Sequence, residues 1–220
     1  SGENDEESLA FLAARDTDGF NRWEAGQVLY TDAIFQNMHN EVSVKTLDYV
    51  FEAFSRTLGD EDTADYSIQA YALTLPSEST LAEEVDVVDP LAIHEARGAL
   101  KKGIARKFYS EIKAKYDALT KAMEAEGGDF KVDATAVGRR RLRNVLLDYL
   151  CSVKETAEEQ KAAAELAWDQ FEKATGMTDR YSALSALASM SGGGTELRDR
   201  AIQKFFDDAK GDALVLNKWF

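Results

Sequence analysis

The chain is short of the residues that would build covalent or metal-bound chemistry. Its 220 residues include one cysteine, Cys151, and two histidines, His39 and His94. A single thiol excludes an intramolecular disulfide. Its surroundings, Val145-Leu146-Leu147-Asp148-Tyr149-Leu150-Cys151, are those of a buried structural thiol rather than a nucleophile. The chain is also poor in proline, with only Pro76 and Pro90, so long stretches are free to be helical. No apolar run approaches the roughly 20 residues needed to span a bilayer. Positive charge is scarce, with 26 basic side chains against 40 acidic and a formal net charge of −14. Nucleic-acid binders displace counterions with a positive field, so this balance argues against nucleic-acid partners and anionic membranes. It fits a soluble protein of the cytoplasm or an organelle matrix. The opening Ser1-Gly2-Glu3-Asn4-Asp5-Glu6-Glu7 is acidic, unlike the positive start of a secretory signal.

Apolar residues at spacings of three and four are abundant. Trp23, Val28, Thr31, Phe35 and Met38 follow that period, as do Val44, Leu47, Phe51, Phe54 and Leu58, with Gly59 as a stop. A short helix is expected over 63–73 with Asp62 as cap. Leu75-Pro76-Ser77 breaks the pattern. Asp89-Pro90 then caps what should be the longest helix, with Leu100, Ile104, Phe108, Ile112 and Tyr116 four apart, ending at Gly127-Gly128. Asp133 caps a helix carrying Val137, Leu142, Val145, Leu146 and Tyr149. Further helices are expected over 157–175 with a stop at Gly176, over 179–190, and after Thr195 as cap. A last helix should begin near Asp212, after a stop at Gly211. Ser191-Gly192-Gly193-Gly194 reads as a flexible turn, and Val85-Asp86-Val87-Val88 alternates but is too short for a sheet. About nine helices with short connections predict an all-α fold. Antiparallel helix pairs would form an irregular α-solenoid or superhelical array of the ARM/HEAT kind.

The tests for chemistry are mostly negative. His94-Glu95-Ala96-Arg97-Gly98 begins like a zinc helix, but that motif needs a second histidine one turn on, and Gly98 carries no ligand. His39 lies 55 residues away. His94 therefore reads as a solvated or hydrogen-bonded helix residue, and no catalytic or metal-ligating residue is assigned. Arg139-Arg140-Arg141-Leu142-Arg143 is the strongest positive cluster, read as a solvated helix face paired with acidic neighbours. Lys101-Lys102 and Arg106-Lys107 are read the same way. The glycine run lacks the lysine and preceding strand of a phosphate loop.

Several blocks nevertheless occur together in order. They are Asp16-Thr17-Asp18-Gly19-Phe20-Asn21-Arg22-Trp23-Glu24-Ala25-Gly26-Gln27, Leu73-Thr74-Leu75-Pro76-Ser77, and Asp89-Pro90-Leu91-Ala92-Ile93-His94-Glu95-Ala96-Arg97. Leu142-Arg143-Asn144, Met177-Thr178-Asp179 and the closing Asp212-Ala213-Leu214-Val215-Leu216-Asn217-Lys218-Trp219-Phe220 follow. From about Leu9 onward the chain resembles the C-terminal helical domain of M1-family zinc aminopeptidases, of the aminopeptidase N type.

The resemblance implies a longer enzyme that releases N-terminal residues from peptides, with zinc held in a catalytic domain that this chain lacks. The chain alone should then be inactive and hold no cofactor. Its partners would be the catalytic and β domains of the same polypeptide, with peptide substrates reached through the full-length enzyme. In the family the helical domain encloses the active-site chamber and limits which peptides enter. Residues 1–15 would be the tail of a preceding β-sandwich or an acidic linker, although Ser8 to Ala14 read alone as a short helix. Residues 16–220 would be the helical domain, which in the family runs on past the Lys-Trp-Phe block. Phe20, Arg22, Trp23 and Glu24 are expected at a hinge with the missing domains, with Trp23 burying its ring and Arg22 and Glu24 pairing across the junction. The rival reading is an independent helical-repeat scaffold for protein interactions.

Overall fold

A computed structural model describes residues 3–16, 18–60, 65–126 and 133–209. Among them there are eleven α-helices, one 3-10 turn and no strand. The all-α expectation therefore holds. The helices are α1 (Glu3–Arg15), α2 (Gly19–Met38), α3 (Val44–Leu58), α4 (Tyr66–Leu73), α5 (Glu78–Glu83), α6 (Pro90–Lys107), α7 (Tyr109–Ala125), α8 (Ala134–Leu150), α9 (Ala157–Lys173), α10 (Met177–Ala188) and α11 (Thr195–Asp208). The chain divides into two compact units, Ser1–Glu126 with Lys131–Tyr149, and Gly127–Phe130 with Leu150–Phe220.

Several expected boundaries move. The longest described helix is α2, with 20 residues. The run expected to be longest is split at Phe108, whose φ of −114° and ψ of 23° leave the helical region. Phe108 N still donates to Ile104 O at 3.0 Å and Ile112 N to Phe108 O at 2.9 Å. The four-residue apolar spacing therefore survives the break, which is why the spacing did not disclose it. The Phe108 ring stacks on Phe54 at 5.6 Å and meets Phe51 edge-on at 6.0 Å, so tertiary contact fixes the kink. The segment after Pro76 holds the unexpected α5, capped by Ser77 Oγ accepting from Thr80 N at 3.1 Å and anchored by buried Leu81.

In the first unit α1 packs on α2 and α3, and α2 packs on α3, α4 and α6. The buried face of α2 includes Ala25, Leu29, Tyr30, Thr31, Ala33 and Ile34; of the expected stripe Thr31 is buried, Trp23, Phe35 and Met38 are half-buried and Val28 is exposed. On α3 the expected Phe54 and Leu58 are buried, whereas Val44 is exposed. The cap of α4 is Asp65, accepting from Ser67 N at 2.8 Å and Ile68 N at 3.3 Å. The expected cap Asp62 lies outside the described residues, as do Gly127-Gly128 and the helix from Asp212. Asp133 caps α8 as expected, accepting from Ala136 N at 2.9 Å.

The end of α4 organises this unit. A helix leaves its last carbonyls without intrahelical partners, and buried ones must be satisfied by other groups. Here the donors come from three other helices and from the break itself. Thr74 Oγ1 donates to Ala70 O at 2.7 Å, Tyr30 OH to Ala72 O at 3.4 Å, and Tyr149 OH to Leu73 O at 2.6 Å. Gln27 Nε2 donates to Thr74 O at 2.8 Å, and Arg97 Nε to Pro76 O at 2.6 Å. Helices α2, α6 and α8 thus converge on one break in the chain. Tyr149 also packs its ring on Phe54 at 5.1 Å. Burial pushes the phenols of Tyr30 and Tyr149 well above the ordinary tyrosine value, so both remain donors.

In the second unit α9 packs on α10 and α11. Its N-terminus carries a capping box, in which Thr156 Oγ1 accepts from Glu159 N and Glu159 Oε2 accepts from Thr156 N, both at 3.2 Å. Gly176, expected as a stop, is instead the N-cap of α10, and Gly194 rather than Thr195 precedes α11. The glycine run expected as a flexible turn is a 3-10 turn pressed against α9. Gly192 has a φ of +54°, and a Cβ on Gly193 would stand 2.6 Å from Ala157 O. Cys151 is buried and its Sγ lies 3.6 Å from Ala163 O, as its apolar sequence context suggested. Arg180 lies over the Phe171 ring at 4.7 Å and the Phe205 ring at 5.9 Å, while its guanidinium pairs with Asp208.

Two measurements check these assignments. Tyr149→Phe leaves a buried carbonyl unmet and should cost about 1–3 kcal/mol in urea unfolding. Asp208 is held below its ordinary value mainly by the hydrogen bond from Arg180. A depressed carboxylate adds stability above its unfolded pKa, and that stability disappears as pH falls through the lower folded pKa. Asp208→Asn should therefore flatten part of the acid limb of stability below about pH 4, with little change in its pH dependence near neutrality.

Candidate functional site

The four residues expected at a domain junction lie at the start of α2. Asp18 caps this helix, its Oδ1 accepting from Phe20 N at 2.8 Å. Phe20 is 61% exposed and sits 5.5 Å from the half-buried Trp23, ring centre to ring centre. Glu24 is exposed. Arg22 pairs with Asp60 at the end of α3 at 2.6 Å, with side-chain exposures of 23% and 15%. The guanidinium thus has a partner inside its own unit. Beside the pair is a void of about 10 Å³ bordered by Gly19, Ile68 and Gln69. Gln69 in turn donates to Thr57 O at 2.7 Å, Asp60 O at 3.2 Å and Leu58 O at 3.3 Å, closing the end of α3. Sequence reasoning expected Arg22 to pair across a domain junction, and it did not find Asp60, the partner within the same unit, whose contribution depends on α3 folding back beside α2.

A cleft of about 720 Å³ lies between the end of α3, α7 and α8. Leu58, Phe108 and Leu119 form its apolar floor, and Glu111, Lys115 and Arg139 its polar wall. Lys115 Nζ donates to Leu58 O at 2.7 Å, and Arg139 pairs with Glu126 and lies over the Tyr66 ring at 5.7 Å. No histidine or cysteine is among its described lining residues. The cleft can hold a side chain, and its two cations, Lys115 and Arg139, are bonded to the fold itself.

The arginine cluster of α8 is not the solvated face expected from its charge. Arg143 is buried, Arg139, Arg140 and Arg141 are half-buried, and Arg141 lies over Tyr71 at 4.7 Å. Guanidinium planes stack on aromatic rings, so such a run can serve packing as well as solvation. Lys101 does pair with an acidic neighbour, Asp148, at 2.6 Å. His94 is 70% exposed in its side chain, and its Nδ1 lies 2.8 Å from Glu78 Oε1. Nothing lies within 4 Å of where a Gly98 Cβ would stand. Among the described residues no three His, Cys, Asp or Glu side chains group to hold a metal ion.

Three of the blocks that carried the family resemblance meet. Gln27, from the first block, and Arg97, from the third, both donate to carbonyls of Leu73-Thr74-Leu75-Pro76-Ser77. Their shared role is to join helices.

Residues 6–220 match the family described as "Domain of unknown function (DUF3458_C) ARM repeats". The chain belongs to this family. The ARM-repeat description agrees with the expected solenoid-like helical array. Aminopeptidase N of Caulobacter vibrioides is 32% identical over 216 residues, which is 95% of this chain and 23% of that protein. Aminopeptidase N of Escherichia coli is 32% identical over 218 residues, 98% of this chain and 23% of that protein. Among solved structures, Legionella pneumophila aminopeptidase A in complex with aspartic acid aligns with a TM-score of 0.78 and 26% identity. That alignment covers all of this chain and 25% of that one. The resemblance to the C-terminal helical domain of M1 aminopeptidases is therefore borne out. The chain spans about a quarter of the length of these relatives.

Replacing Arg22 tests the joint. Arg22→Ala should lower the stability of this chain by about 1–2 kcal/mol in denaturant unfolding, because Asp60 loses a half-buried partner. Unchanged stability would return Arg22 to a role outside its own unit.

Proposed function

We propose that this chain is the non-catalytic C-terminal domain of a longer zinc metallo-aminopeptidase that releases N-terminal residues from peptides. The domain encloses the active-site chamber and restricts which peptides enter. The observation that carries this reading is the alignment over nearly the whole chain with only 23% of aminopeptidase N. Zinc would be held by another part of that polypeptide. The partners would be its catalytic and β domains, with peptides reached through the full-length enzyme in the cytoplasm or an organelle matrix. Exposed Phe20 with Trp23 would face the neighbouring domain, at a junction near residues 1–15.

The described residues support a passive role. Polar side chains that the blocks of resemblance contribute, Gln27 and Arg97, join helices. In a lidded chamber such a domain acts by excluding water and setting the width of entry.

Two assays test this reading. The chain alone should neither release N-terminal residues from peptides nor bind stoichiometric zinc. In the full-length polypeptide, Phe20→Asp should loosen the junction and raise turnover of long peptides relative to dipeptide-sized substrates. Turnover with bound zinc in the isolated chain would contradict the proposal, as would size selectivity unchanged after the domain is displaced.

A further inference from the structure

The turn between α5 and α6 is unusual in what it exposes. Val87 is 85% exposed, Val88 47% and Leu91 65%, three apolar side chains within five residues. Scattered exposed apolar residues are ordinary, but a contiguous group rimmed by charge marks a binding surface. The turn is held at both ends. Buried Leu81 anchors α5, and Asp89 caps α6 by accepting from Ala92 N at 3.1 Å, ahead of buried Ile93. The exposed side chains are therefore displayed by a braced connection.

Charge states what would cover them. From Thr57 to Ala96, 40 residues, the sequence has ten Asp and Glu and no Lys or Arg. Some of these carboxylates are occupied: Asp60 pairs with Arg22, Asp65 and Asp89 cap helices, and Glu78 meets His94. Glu83, Glu84, Asp86 and Glu95 are exposed and in no ion pair among the described residues. They flank Val87, Val88 and Leu91 in the chain. An apolar centre with a single-sign rim is complementary to a partner whose own apolar residues are framed by Lys or Arg, and like-charged surfaces are rejected.

We infer that the Val85–Leu91 turn is a docking surface for a basic polypeptide segment carrying apolar side chains between its Lys or Arg residues. The apolar contact supplies grip and the four free carboxylates supply selection and faster encounter. A second copy of this chain is disfavoured as occupant, because each copy carries a net charge of −14.

Fluorescence anisotropy with a labelled synthetic peptide alternating lysine and leucine tests this, using the full 220-residue chain. Saturable binding is expected, at least about tenfold weaker with Val87→Asp/Leu91→Asp and with Glu83→Lys/Asp86→Lys. Both double variants change exposed side chains that cap no helix, and an unchanged thermal melt will verify that they fold. An equally tight complex with Val87→Asp/Leu91→Asp would overturn the inference, because binding would then be bulk charge attraction. Equal affinity for a lysine–glycine peptide would do the same, and so would no saturable binding by the wild-type chain. Self-association of the wild-type chain that either variant abolishes would assign the turn to a second copy instead.

Discussion

The first unit depends on how the carbonyls at the end of α4 are satisfied. Backbone oxygens released there cannot be buried without donors. Five side chains supply them: Thr74 locally, Gln27 and Tyr30 from α2, Arg97 from α6 and Tyr149 from α8. Each bond contributes only about 1 kcal/mol net, but leaving a buried acceptor unmet, as at Ala72 O or Leu73 O, costs more than making the bond gains. That asymmetry fixes the relative placement of three helices far apart in sequence. Tyr149 reaches back 76 residues to Leu73 and also packs on Phe54. Polar satisfaction and apolar packing therefore specify the same arrangement.

This explains why the family resemblance was readable. The blocks Asp16 to Gln27, Leu73 to Ser77 and Asp89 to Arg97 contribute Gln27, the carbonyl run and Arg97 to one set of hydrogen bonds. Such motifs can resemble catalytic signatures in spacing while serving architecture. His94 lies inside one of them, yet it is exposed beside Glu78, whereas Arg97 three residues on is the joint.

Legibility varied with how local each determinant was. The class, most helix positions and the caps at Asp89 and Asp133 were legible because they follow short-range rules of period and side-chain acceptors. The kink at Phe108 was not, because the ladder bonds on both sides persist and the cause is an aromatic contact with α3. The arginines of α8 were misread for the same reason: charge suggested solvent, and only Tyr66 and Tyr71 on α4 reveal the packing. The glycine run looked flexible in isolation, but α9 at its back makes small size the requirement. At the candidate site, Arg22 was expected to pair across a junction and its partner Asp60 was not foreseen, and the cleft beside α7 has no sequence signature.

The arrangement around α4 is tested most directly by a double-mutant cycle between Tyr149→Phe and Arg97→Met, measured by urea unfolding. The two side chains donate to Leu73 O and Pro76 O, three residues apart on one break. If that break is a shared joint, the two losses should be non-additive, with a coupling of about 0.5–3 kcal/mol. Strict additivity would contradict the account, because Tyr149 and Arg97 would then be independent contacts that happen to end near one another.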